Sequence, residues 1–248
     1  MSYNIQTAVA SVRPHHYLTR GWKHVLPHSS TFDNLDRIAR LIGQYDIVAL
    51  QEADAGSLRS YFINQVEYLA RRGQFAHWFH QTNRDFGKLA QQSNGLLSKL
   101  PPGNISQHRL PGLIPGRGAM VVNYGHRHTR LALILVHLAL GRRARQQQLA
   151  YIAELLGDYR HAVVMGDFNC PSHSPEMEAF LDQTELCAPA EQLHTFPSWR
   201  PMRNIDHILV TPSLPVTRMQ VLNHVISDHL PIAMELEIPA EVGLGYHA

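Results

Sequence analysis

The sequence predicts an α/β domain, and three observations point to it. Unbroken apolar runs of strand length recur, at Asp46-Ile-Val-Ala-Leu50, Leu133-Ile-Leu-Val136 and His161-Ala-Val-Val-Met165, each closed by polar or turn residues. Amphipathic stretches alternate with them, the clearest at Arg142 to Leu156, where Leu149, Ile152, Ala153 and Leu156 recur at helical spacing. At 248 residues, 44% of them hydrophobic, the chain suffices for one large domain with a sizeable core. It shows no internal repeat, low-complexity segment or linker, so residues 1–248 read as a single domain.

Taken in order, Ser2 to Ala10 reads as a first strand with Asn4 near its middle, followed by a loop rich in His, Pro and Ser from Val12 to Ser30. Thr31 or Asp33 caps a helix whose Leu35, Ile38, Ala39, Leu41 and Ile42 share a face. Asp46 to Leu50 is a buried strand that exits into Gln51-Glu52. Leu58 to Arg72 reads as helix and Phe75 to Phe79 as strand. Gln81 to Gly118 is polar and rich in Pro and Gly, a long loop interrupted at Gly95 to Lys99 and Ile105 to Leu110. Ala119 to Tyr124 and Arg130 to His137 form a hairpin. The helix at Arg142 opens on Arg142, Arg143 and Arg145, read as a solvated face. His161 to Asp167 is the central strand, ended by Gly166-Asp-Phe-Asn169. A helix from about Ser174 to Gln183 follows, and strands at Ile205 to Val210, Val216 to Leu222 and Pro231 to Ile238 close the chain.

Composition excludes several classes. No apolar run approaches the ~20 residues of a membrane helix, and the N-terminus lacks a secretion signature. Cys170 and Cys187 are too few for a disulfide framework, which fits a reducing cytoplasm. Lysine and arginine exceed aspartate and glutamate by 22 − 20 = 2, but 17 histidines are present, so anion affinity can vary with pH. The pairs His77/His80 and His126/His128 lack any zinc-type spacing.

The chemistry gathers at strand ends. Asp167 and Asn169 leave the carboxyl edge of the central strand together, where α/β proteins bind ligands. Asn4, Glu52, His137 and Asp206 each end, or lie within, an apolar run, and Ser227-Asp228-His229 immediately precedes the last one. Any of these alone is an ordinary strand exit or Asx turn; the set carries the weight.

In order, Asn4, Gln51-Glu52, His137, Gly166-Asp-Phe-Asn169, Ile205-Asp206 and Ser227-Asp228-His229 resemble the endonuclease/exonuclease/phosphatase superfamily, across essentially the whole chain. The resemblance implies a four-layer α/β sandwich, two facing mixed β-sheets flanked by helices, with the site along one rim. It implies a metal-dependent phosphoric ester hydrolase that attacks phosphorus in line with water. Glu52, Asn4 and Asp228 would hold magnesium or manganese, hard cations that prefer oxygen ligands. Asp167 and Asn169 would position the water and a phosphate oxygen. Asp206 would orient His229 and stabilise its protonated form, and His137 would donate to the phosphate.

The pattern departs from abasic-site endonucleases: Gln6 stands where they carry an aspartate, and the Gln81 to Pro102 region holds no match for their active-site tyrosine. Asn94, in Ser93-Asn94-Gly-Leu-Leu-Ser-Lys99, and Trp199, in Thr195-Phe-Pro-Ser-Trp199, are candidate substrate contacts, although a half-buried loop anchor also suits Trp199. The leading expectation is a phosphodiesterase acting on nucleic acid as its partner, without a membrane span or an obligate protein partner. The alternatives are the same chemistry on a phospholipid or small metabolite, and a binding module that has lost its chemistry.

Overall fold

The computed structural model describes residues 1–8, 30–85, 87, 89–126, 128–157, 159–189 and 193–244. Among them, strands β1 (Ser2–Asn4), β2 (Ile47–Asp54), β3 (His77–Asp85), β4 (Gln91–Ser98), β10 (Val216–Val221) and β11 (Ile232–Leu236) form one sheet, in the order β10-β11-β1-β2-β4-β3. Strands β5 (Ile105–Arg109), β6 (Gly118–Tyr124), β7 (Leu131–His137), β8 (His161–Asp167) and β9 (Asp206–Val210) form the second in chain order. Each sheet has one parallel pair, β1 with β2 and β7 with β8, and antiparallel neighbours elsewhere.

Helices cover both outer faces. On the first sheet lie α1 (Ser30–Ile42) and α2 (Gln65–Arg72), whose Leu35, Ile38, Ile42 and Leu69 pack with Leu50. On the second lie α3 (Arg142–Leu156) and α4 (Pro175–Asp182), whose Leu149, Ile152 and Phe180 pack with Ile134 and Val164. Between the sheets, Ala49, Leu96, Met120, Leu133, Met165 and Ile208 form a third apolar layer. This is the expected four-layer sandwich. Strands buried on both faces need apolar residues at consecutive positions, which explains the unbroken runs. No helix among the described residues is long and apolar enough to cross a membrane.

The structure departs from the sequence reading at several places. The first strand stops at Asn4, because Gln6, Thr7 and Ala8 take left-handed backbone angles, with φ of 44°, 56° and 58°. The His-rich loop, from Val12 through Ser29, lies outside the described residues. The expected helix from Leu58 is broken: a short turn over Leu58–Ser60 meets left-handed Tyr61 and Phe62 before α2 begins. Asn64 caps α2, its Oδ1 accepting the amides of Val66 and Glu67 at 3.0 and 3.3 Å.

The region read as a long interrupted loop from Gln81 to Gly118 is half strand: β5 falls at the expected interruption, while β3 runs on to Asp85 and β4 starts already at Gln91. Its polar residues suit β4 because neighbouring backbone satisfies them: the Ser93 hydroxyl donates to the Ala53 carbonyl at 2.9 Å. Arg145 is not on a solvated face. It is buried, and its Nη2 pairs with Glu176 at 2.6 Å.

Candidate active site

Both parallel pairs deliver their carboxyl ends to the same rim. In the second sheet, Asp167 is in register with His137 on one side and Asp206 on the other. From the first sheet come Asn4, Glu52 and the Ser227-Asp228-His229 segment leading into β11. The site thus straddles the two sheets.

Local backbone features aim these residues. The β2–β4 pairing shifts register between Leu50 and Ala53, and Glu52 sits in that irregularity with φ of 57°. A bulge re-aims a side chain at the cost of local strain. Gly166 has φ of 150°, and a Cβ there would run into the Val136 carbonyl of the parallel neighbour. Only glycine therefore lets β8 approach β7 closely just before Asp167. Asn169 takes the left-handed region at φ 55°, which asparagine tolerates. Its amide N–H donates to Asp167 Oδ1 at 2.9 Å and its Nδ2 to the Leu138 carbonyl at 2.9 Å.

The side chains form a buried line. His229 Nδ1 donates to Asp206 Oδ2 at 2.8 Å, and the Thr195 hydroxyl donates to the same oxygen. His229 Nε2 faces Asp167 Oδ2 at 3.9 Å. His137 Nε2 lies 3.5 Å from that oxygen and 3.8 Å from Glu52 Oε1. Asn4 Nδ2 donates to Asp167 Oδ2 at 3.0 Å, while its Oδ1 accepts the Gln6 amide at 3.1 Å. Asn4 therefore presents its N–H side to the acids, so its oxygen is engaged within its own loop. Phe196 packs its ring on His229 with centroids 4.9 Å apart.

Electrostatics separates the roles. Burial alone would depress the His229 imidazole, but the Asp206 and Asp167 carboxylates outweigh it and hold the ring protonated, with its pKa raised to about 10. Burial raises Asp167 to about 7, partly opposed by the positive charge of His229 and reinforced by Asp206 and Glu52. His137 is held well below the usual histidine range, first by burial and then by the positive charges of Arg117, His229 and Arg84, so it stays neutral. Burial raises the Glu52 carboxyl as well, and the Asp228 charge raises it further.

That last pair is the observation that bears on a metal. The Asp228 charge disfavours an ionised Glu52, whose side chain is 27% exposed. A hard divalent cation relieves such a pair and prefers its oxygen donors. Asp167, Asp206 and His229 also offer ligand atoms within 4.8 Å of one another, but these atoms are engaged with each other and with Thr195 and Asn4. Glu52 and Asp228 add further carboxylate oxygens, Asp228 Oδ1 accepting from the Ser227 hydroxyl at 3.1 Å.

The two candidate substrate contacts flank this line: Asn94 faces the Gln51–Glu52 bulge across the β2–β4 pairing, and the amide of Ser198, beside Trp199, donates to the Asp228 carbonyl. Asn94 is fully buried on β4, where its Nδ2 donates to the Gly118 carbonyl at 3.2 Å and ties the two sheets together beneath the rim. Trp199 is half-buried on the segment that buttresses His229. Arg117 and Arg84 were not anticipated. Arg117 feels the charges of Asp167 and Glu52, and the Arg84 side chain lies where a Cβ on Gly116 would stand, which only glycine permits. No spacing or periodicity in the sequence marks either arginine, because strand pairing between distant segments creates their position.

Residues 1–229 match the Endonuclease/Exonuclease/phosphatase family. The chain is 32% identical over 117 residues to the uncharacterized protein YbhP of Escherichia coli K12; that stretch is 43% of this chain and 46% of YbhP, less than half of that relative's length. Among solved structures it resembles an endonuclease/exonuclease/phosphatase from Beutenbergia cavernae (TM-score 0.73, 20% identity, 96% of this chain and 70% of that one). It also resembles mannosyl-6-phosphatase Bt3783 of Bacteroides thetaiotaomicron (0.69, 19%, 96% and 98%). A third is D. rerio TDP2 in complex with a single-strand DNA product (0.63, 17%, 83% and 93%). At these identities the solved structures speak for the fold alone.

Proposed function

The chain belongs to the Endonuclease/Exonuclease/phosphatase family, and we propose that it is a magnesium- or manganese-dependent phosphodiesterase in which Asp167 and the Asp206–His229 pair act on water and phosphate. The buried line from Asp206 through His229 to Asp167, at 2.8 and 3.9 Å, carries this reading. Asp206 fixes the ring so that Nε2–H points into the site. The imidazolium there donates to a non-bridging phosphate oxygen and balances the charge that grows as water adds. Asp167, with a pKa near neutrality, accepts the proton of the attacking water, a base matched to its task. The water oxygen bonds to phosphorus, the ester P–O bond breaks with its electron pair on the leaving oxygen, and solvent protonates that oxygen. The products are a phosphomonoester and an alcohol.

Glu52 and Asp228 would hold the cation, which when bound supplies Lewis-acid charge to the phosphoryl and leaving oxygens. Asn4 bridges the acids and sets their spacing. His137, being neutral, can donate one N–H without adding charge. Arg117 and Arg84 add positive potential on the side of the incoming anion.

The test is hydrolysis of bis(4-nitrophenyl) phosphate with magnesium, with manganese and with EDTA. Activity is expected only with a divalent ion, and Glu52→Gln should weaken magnesium affinity in calorimetry while leaving the melting temperature within a few degrees. Full activity after exhaustive chelation would remove the proposal.

A further inference from the structure

Large apolar side chains in water are ordinary when scattered and informative when gathered. Eight are exposed among the described residues, and only Val216 lies at the end of the sandwich away from the site. The rest stand on loops at the site's own end. The most exposed are Leu113, Leu140 and Ile114, at 98%, 76% and 74%, which contribute almost nothing to the core.

Leu113 and Ile114 form the tip of the β5–β6 loop, and Leu140 lies in the turn from β7 to α3, three positions beyond His137. One side chain locks the two loops together. Gln148 of α3 donates from Nε2 to the Pro111 carbonyl at 2.9 Å and accepts the Ala139 amide at Oε1, at 2.8 Å. Arg145 adds a second clamp, donating to the Ala139 and Leu140 carbonyls while paired with Glu176. Buried polar groups thus order the backbone of the turn while its large side chain is pushed into water. Positive charge flanks the group: Arg109, Arg142 and Arg143 are exposed, and of these Arg142 is paired with Glu176, at 3.4 Å.

From this we infer that the rim seats on an anionic phospholipid bilayer. Leu113, Ile114 and Leu140 enter the interfacial layer, the arginines meet lipid phosphates, and a head-group phosphodiester reaches Asp167 and His229. The substrate assignment rests on the hydrolase reading above; the docking does not. A nucleic-acid backbone would satisfy the arginines but offers no apolar phase to three aliphatic tips. A bilayer supplies both partners at once.

The experiment is flotation of the full chain with vesicles of phosphatidylcholine and phosphatidylglycerol, with phosphatidylcholine vesicles as comparison. The chain should float with the anionic vesicles and less with the neutral ones. L113S/I114S/L140S should bind at least ~10-fold more weakly, as expected when three aliphatic side chains no longer leave water. R109Q/R143Q should lose the preference for anionic vesicles. Both variants should hydrolyse bis(4-nitrophenyl) phosphate as the parent does, which also certifies their fold. Absence of flotation, undiminished binding by the triple variant, or a loss in that variant of single-stranded DNA binding instead would overturn the inference. Vesicle binding without hydrolysis of the soluble diester would support the docking and sink the proposed chemistry.

Discussion

Replacing Asp206 by asparagine removes one negative charge and almost no volume. Asp206 Oδ2 accepts from both His229 Nδ1, at 2.8 Å, and the Thr195 hydroxyl, and it is buried. The amide can still accept one of these bonds, so the fold should survive. A charge-assisted hydrogen bond is worth about 1.5–3 kcal/mol, which at ~1.4 kcal/mol per factor of ten corresponds to ~10- to 100-fold in rate. A second loss follows from charge. With Asp206 neutral, the burial that depresses the imidazole has less to oppose it, and the ring no longer presents a firmly held N–H to the phosphate. Together these place the fall in kcat between ~10² and ~10⁴, the scale seen when a triad aspartate is changed. The assay is kcat on the soluble diester at saturating divalent ion, for D206N, H229A and the double variant, with melting temperatures alongside. Because the pair acts as one unit, the double variant should lose little more than H229A. A fall in D206N below ~5-fold, or multiplying losses in the double variant, would refute the reasoning.

Two further outcomes concern stability. Asp54 accepts from Gly56, Ser57, Ser60 and Arg59, and although burial pushes its carboxyl up, these bonds outweigh it and the pKa is lowered. D54N should cost about 3–5 kcal/mol in urea unfolding at neutral pH, because it leaves Arg59 without its counter-charge. A lowered folded pKa means that this stabilisation is complete above the unfolded value of 3.8 and disappears as pH falls through the folded one. The gap between D54N and its parent should therefore narrow in acid, and a constant gap would show that the charge is not its source. Gly166→Ala should cost at least ~2 kcal/mol and most of the activity, since its Cβ would collide with the Val136 carbonyl and push Asp167 out of line; a variant as stable as the parent would refute that account.

The sequence disclosed whatever repeats locally. Strands buried on both faces show as unbroken apolar runs, so β2, β7 and β8 were legible, and the polar residues at their ends drew attention to Glu52, His137 and Asp167. The Asp206–His229 contact was expected from the resemblance across 23 positions, and the two atoms are 2.8 Å apart. Strand β4 was obscured because Gln91 to Asn94 are polar yet lie between two paired neighbours and the other sheet. Arg145 looked solvated because its partner, Glu176, is on another helix. The bulge at Glu52 leaves no compositional trace, since left-handed backbone is normally signalled by glycine or asparagine.

Asp206, Asp167 and His137 belong to one sheet, while Asn4, Glu52, Asp228 and His229 come from the other, and the second sheet is completed before β10 and β11 return to the first. On the proposed mechanism, neither sheet alone carries the complete set. Helices and hairpins can form early from local contacts, but proton transfer waits for a closure between residues more than 220 positions apart, seen where Tyr3 meets Ser227. Enzymatic turnover regained after dilution from denaturant is thus a clock for that last closure, and should lag the return of helical signal.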